Sequence, residues 1–213
     1  MKTAGKDLIL EACQDWYRLL AKEAPDSYIL LSQFWSHPQS FIQHFANAIG
    51  KHEQLQITDE NELMAQFKAL VSAVQQDLAL NQSFIVENLI ENKQGKDRTI
   101  REEEFSLLNT WLTTQLTLTK VSNQSLKDNP YPVKFFNGGR FPKVLKPQLY
   151  QIFANANQLK EEVKAFGDKI SKARAYVIVK QGLEKIASII EIKKLQLKLL
   201  TFDDLITTLA TQL

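Results

Sequence analysis

The sequence predicts an all-α fold: an irregular multi-helix bundle with a long C-terminal helix and a long basic loop. Three observations predict it. Apolar residues recur at steps of three and four along most of the chain, and proline, glycine and capping residues punctuate these stretches. No run alternates apolar and polar residues with the period of a strand.

In chain order, Lys6 to Lys22 reads as an amphipathic helix with Leu8, Ile9, Ala12, Trp16, Leu19 and Leu20 on one face, ending near Pro25. A short apolar piece, Tyr28 to Trp35, follows. Ser36-His37-Pro38-Gln39 has the form of a capping box with proline in the first turn, so a helix is expected from His37 to Gly50 with Phe41, Ile42, Phe45 and Ile49 inward. Asp59 with Glu62 repeats the capping arrangement ahead of Leu63, Phe67, Leu70, Val74 and Leu78, and another helix is expected around Phe84 to Leu89. Glu102, Glu103 and Glu104 are placed to open the next, which Leu107, Leu108, Trp111 and Leu112 bury.

Beyond Thr119 the helical period dissolves. Asn129-Pro130-Tyr131-Pro132 and Asn137-Gly138-Gly139 are turn chemistry, and Pro142 and Pro147 argue against a helix crossing the segment. A loop of about 25 residues in a compact protein is unusual and points to function or disorder. The long final helix then runs from about Tyr150 to Leu200. Its apolar stripe of Leu159, Val163, Phe166, Ile170, Ala173 and Val177 is followed by a second of Tyr176, Val179, Leu183, Ile186, Ile190, Leu197 and Leu200. The change of phase predicts a stutter or break near Ala173. Thr201 and Asp204 can cap a further helix whose apolar face is Phe202, Leu205, Ile206 and Leu209.

Composition places the chain among ordinary globular sequences: 213 residues, 44% hydrophobic and 23% charged, with a net charge of +2. No apolar run approaches the length of a membrane span, Met1 to Gly5 lacks a signal-peptide core, and no membrane partner is expected, so the chain reads as cytoplasmic. The lone Cys13 sits among apolar residues and reads as a buried thiol. The small net charge conceals a segregation. Lys93 to Arg101 carries net +3 and Lys120 to Lys146 net +5, which leaves the remainder at −6. Two connecting segments of an acidic helical body are thus where a polyanion would bind.

The residues offer little for catalysis. The only glycine pair, Gly138-Gly139, lacks the lysine and helix start of a phosphate loop, so the chain by itself is expected to hydrolyse no ATP. His37, His44 and His52 with Cys13 do not compose a zinc set and read as capping, core or surface residues. In the Lys120 to Lys146 loop, Tyr131, Phe135, Phe136 and Phe141 interleave with Lys134, Arg140 and Lys143. Such rings either stack on bases or pin the loop to the body. Here the rings are read as packing residues and the cations as phosphate contacts.

Thr201-Phe202-Asp203-Asp204-Leu205-Ile206, at the end of a long Lys- and Leu-rich helix, resembles the segment before the Asp-Glu motif of RecB-type helicase-nucleases, within the UvrD-like class of superfamily 1. An ordered series extends the resemblance. Leu8 to Arg18 with Asp15-Trp16-Tyr17-Arg18, Phe34-Trp35 with Pro38-Gln39, Gly95-Lys96-Asp97-Arg98 ahead of Trp111, Phe135 to Phe153, and Tyr176 to Leu213 are similar to successive parts of that family's helical subdomain 1B. The chain departs from the pattern over Leu55 to Asn88 and carries extra residues around Leu159 to Ala173.

The resemblance implies that residues 1–213 are one helical subdomain of the beta subunit of a RecBCD-type ATP-dependent helicase and exodeoxyribonuclease of double-strand break repair and recombination. Residues 201–213 would lead back to the motor domain. ATP and magnesium would be bound by the parent protein outside this chain, with no catalytic residue, cofactor or metal within it. The partners implied are double-stranded DNA ahead of the fork, the remainder of the motor, and the other subunits, with the protein on the nucleoid when acting. Lys93, Lys96, Arg98, Arg101, Lys134, Arg140, Lys143 and Lys146 occupy the matching segments and are the expected phosphate contacts. The residues also admit a self-contained helical adaptor, docking a protein along an exposed stripe from Tyr176 to Leu200.

Overall fold

A computed structural model of the chain describes residues 2–51, 53 and 55–196. It is all-α, and no strand occurs among the described residues. The helices are α1 (Lys2–Glu23), α2 (Pro25–Ser32), α3 (Pro38–Phe45), α4 (Glu60–Leu80), α5 (Gln82–Ile85), α6 (Gly95–Thr117), α7 (Asn123–Asp128), α8 (Lys146–Ile152) and α9 (Ala154–Gln196). No described helix is long and apolar enough to cross a membrane. His52 and the cap and final helix expected at Thr201 to Leu209 lie outside the described residues, as do Leu197 and Leu200.

Local chemistry sets the boundaries, and several differ from expectation. Helix α3 is capped by His37 rather than Ser36: its Nδ1 accepts from the Ser40 amide at 3.1 Å. It gives way to a 3₁₀ turn at Ala46–Ala48, and Gly50 follows with φ of 75° in the left-handed region that glycine tolerates. Asp59 caps α4 as expected, accepting from the Asn61 amide at 2.9 Å. Helix α6 begins at Gly95, whose φ is 50°, a full two turns before Glu102. The first basic segment is therefore mostly the opening of a helix and not a connection. Between α5 and α6 the chain forms a π turn, Val86–Glu91, and this wider winding lets the neighbours Leu89 and Ile90 both face inward.

The packing divides the chain into two compact units: one drawn from residues up to Ile57 and from Lys172 onward, the other from Thr58 to Ser171. The first unit packs α1, α2 and α3 with the later part of α9 around Ala12, Cys13, Trp16, Tyr17, Trp35 and Phe41. Its core is aromatic, with Trp35 and Phe41 each 4.9 Å from Phe45 and the Tyr17 hydroxyl donating to the Trp35 carbonyl at 3.0 Å. Burial pushes the Cys13 thiol up to about 12, which suits an inert core thiol. The second unit packs α4 against α6 and closes with the first part of α9, where Phe166 stacks on Phe67 at 4.2 Å.

Helix α9 runs uninterrupted through the expected break near Ala173. The two stripes are real, and each serves its own core: Leu159, Phe166 and Ile170 in the second unit, and Ala175, Val179, Leu183, Ile186 and Ile190 in the first. Val177, in step with the first stripe, is 46% exposed. The change of phase is met by changing the core that is faced, so the backbone need not break.

In the first unit, the Trp16 indole lies directly against the α9 backbone at Gly182, where an added Cβ would overlap the ring. Alanine in place of glycine within a helix ordinarily stabilises by about 1 kcal/mol. Gly182→Ala is predicted to destabilise instead, by about 1–3 kcal/mol, because a rigid buried ring must move. Urea denaturation checks this, and in a Trp16→Leu background the same substitution should revert to neutral or stabilising.

Candidate nucleic-acid interface

The segment after α6 is more structured than its turn chemistry implies. Ser122 and Ser125 form a reciprocal capping box that starts α7. The chain then folds through 3₁₀ turns at Gly138–Arg140 and Lys143–Leu145, and Pro147 sits in the first turn of α8, where a missing amide costs nothing. The aromatics pack, as read from the sequence. Tyr131, Phe135, Phe136 and Phe141 are all buried, and the three phenylalanines gather around Phe153 within 6.0 Å. Gly138 lies against the Tyr150 ring so closely that a Cβ would overlap it, which holds the first 3₁₀ turn on α8.

On this scaffold the candidate cations separate into two kinds. The arginines are engaged by the protein. Arg98 is bound to Glu102 at 2.9 Å along the exposed side of α6. Arg101 is 2% exposed and donates to the Phe135 carbonyl at 2.8 Å and to Glu104 at 3.4 Å, with its guanidinium 5.5 Å over the Phe135 ring. Arg140 reaches the same carboxylate from the loop, at 2.6 and 2.9 Å. Glu104 thus holds one arginine from each basic segment. Burial, and then the neighbouring Arg140, lower the pKa of Arg101, while Glu104 acts against both. Arg101 is therefore withdrawn from the expected phosphate contacts: it is buried and its donors face protein oxygens.

The lysines behave differently. Lys96, Lys134 and Lys143 are exposed, Lys93 and Lys146 are half-buried, and none of them has an acidic partner among the described residues. All belong to the second unit, as do Arg98 and Arg140. Sequence reasoning missed Glu104 as the residue that joins α6 to the loop. Its position three residues after Arg101 was a signal for the local pair, but nothing in the sequence marks the contact with Arg140, 36 residues away.

The other candidates have ordinary tasks. His37 caps α3, and the His44 Nδ1–H donates to the Ser40 carbonyl at 2.8 Å. The stripe expected to dock a partner is buried at Val179, Leu183, Ile186 and Ile190 within the first unit. Comparison with protein-family models, with curated proteins and with solved structures finds no match to the chain.

Removing one partner of a buried ion pair strands the other charge. Glu104→Ala is predicted to destabilise by about 3 kcal/mol, the lower end of the range for such pairs, since Glu104 is partly exposed. The double variant Arg101→Met/Glu104→Leu should recover part of that loss, because it leaves no buried charge, while the partly exposed Arg140 exchanges its carboxylate for water. Arg98→Ala, which breaks an exposed pair, should change stability far less. Urea midpoints of the variants rank the effects.

Proposed function

We propose that the chain is a duplex-contacting helical subdomain, corresponding to 1B, of a RecBCD-type helicase-nuclease beta subunit that acts in double-strand break repair and recombination. On this reading residues 1–213 belong to one subdomain and residues 201–213 lead back to the motor. ATP, magnesium and the chemistry they support belong to the rest of the parent protein, and no catalytic step is assigned to residues of this chain. Its partners are duplex DNA, the remainder of the motor and the companion subunits, in the cytoplasm at the nucleoid.

The observation that carries the proposal is the group of lysines, Lys93, Lys96, Lys134, Lys143 and Lys146, that have no acidic partner among the described residues. Ammonium groups not engaged by a carboxylate can displace counterions from a phosphate backbone. Arg98 and Arg140 supply positive charge already shared with Glu102 and Glu104, so they add less. Duplex affinity needs no base-specific contact under this arrangement, because phosphate contacts position a protein without reading sequence.

With roughly five phosphates neutralised, the logarithm of the association constant is expected to fall against the logarithm of salt concentration with a slope of about −4 to −5. Replacing Lys134, Lys143 and Lys146 by Glu should weaken binding equally for unrelated duplexes and flatten the slope by about one unit per lysine. Arg140→Glu is a poor probe, because it would also break the contact with Glu104. Titration of labelled duplexes at several salt concentrations decides it, and a triple variant that binds like the parent refutes the proposal.

A further inference from the structure

We propose that the second unit carries a site for a small organic anion, a compact apolar body bearing one negatively charged group. The site is a cleft of about 400 Å³ between α6 and the segment Asn129 to Lys134. That volume lies within the range of about 300–1,000 Å³ common to small-molecule sites. The α6 wall presents Leu107, Thr110, Trp111 and Thr114, and the facing wall presents Pro130, Pro132 and Val133. Leu107 is 61% exposed within this concavity, so an apolar surface stands open to a ligand instead of being spent on the core.

The walls are pre-formed. The Trp111 indole N–H donates to the Asn129 carbonyl at 2.9 Å, and the Trp111 and Tyr131 rings meet at 4.6 Å. Pro130 and Pro132 fix their own backbone φ angles, so the facing wall has little freedom to collapse inward.

Charge selects the ligand. Two charged residues line the cleft, Glu104 and Lys134. The Glu104 carboxylate is taken by Arg140 at 2.6 and 2.9 Å and by Arg101 at 3.4 Å. The Lys134 ammonium has no acidic partner among the described residues. The uncompensated charge at the cleft is therefore positive. A ligand gains most by setting its anionic group at Lys134 and its apolar body against Leu107 and Val133. An inorganic anion would leave the apolar walls unused, and a cation would meet Lys134. This inference does not depend on DNA binding and is tested without DNA.

The probe is 8-anilinonaphthalene-1-sulfonate, which joins an apolar body to one sulfonate. The parent protein should bind it at a single saturable site, with energy transfer from tryptophan. Lys134→Ala should weaken binding about tenfold, as loss of one charge-assisted contact implies, and Leu107→Glu should weaken it further. Both side chains are exposed, so the variants should keep the parent's circular dichroism and melting temperature. N-phenyl-1-naphthylamine, which has the same body without the sulfonate, should bind more weakly and be indifferent to Lys134→Ala. Displacement of the probe by decanoate assigns the site to aliphatic acids, and displacement by adenosine monophosphate to nucleotides. The proposal is overturned if saturable binding is absent, if both variants bind the probe like the parent, if the neutral probe shows the same dependence on Lys134, or if neither competitor displaces the probe.

Discussion

The apolar seam of α9 changes phase between Ile170 and Ala175, and both cores depend on it. A step of five residues fits no single helical stripe, so the residues before and after it cannot serve the same apolar surface. The earlier residues complete the core of the second unit with Phe67, and the later ones complete the aromatic core of the first around Trp16 and Trp35. Regular backbone hydrogen bonding continues throughout, so the phase change costs no helix. Within the first unit the same helix supplies Gly182, whose missing side chain lets Trp16 approach its backbone.

In the second unit a division of labour between arginine and lysine follows from their chemistry. A guanidinium offers several donors in one plane and is weakly hydrated, so Arg101 can be buried while serving a carbonyl and a carboxylate together. Arg140 completes the carboxylate's coordination from the loop. These lysines keep their strongly hydrated charges on flexible stems, with no acidic partner among the described residues. The arginines thus hold the loop to α6, and the lysines furnish the positive field. This separation supports the proposed phosphate contacts and also leaves Lys134 as the uncompensated charge at the cleft.

The fold class was legible because apolar spacing survives in nearly every helix, and the loop aromatics could be read as packing residues because large rings are costly to leave in water. Boundaries were less legible where polar residues form a helix. The stretch from Gly95 to Arg101 carries little apolar period, and its helical start rests on the left-handed Gly95 and on later tertiary packing. The expected break in α9 failed because a phase change can be answered by a second core as well as by a bend. For the candidate site, charge segregation was visible in the sequence and singled out the lysines, which have no acidic partner among the described residues. The withdrawal of Arg101 was not, because it depends on a carbonyl 34 residues away.

On the proposed function, the lysines of the second unit that have no acidic partner among the described residues form the phosphate-contacting surface. Lysine-reactivity footprinting by mass spectrometry, with and without a duplex at low salt, tests it most directly. Lys93, Lys96, Lys134, Lys143 and Lys146 should lose reactivity when DNA is added, while the exposed Lys22, Lys51 and Lys185 of the first unit should keep theirs. Uniform protection across both groups, or protection confined to the first unit, would rule out this surface as the DNA-binding one.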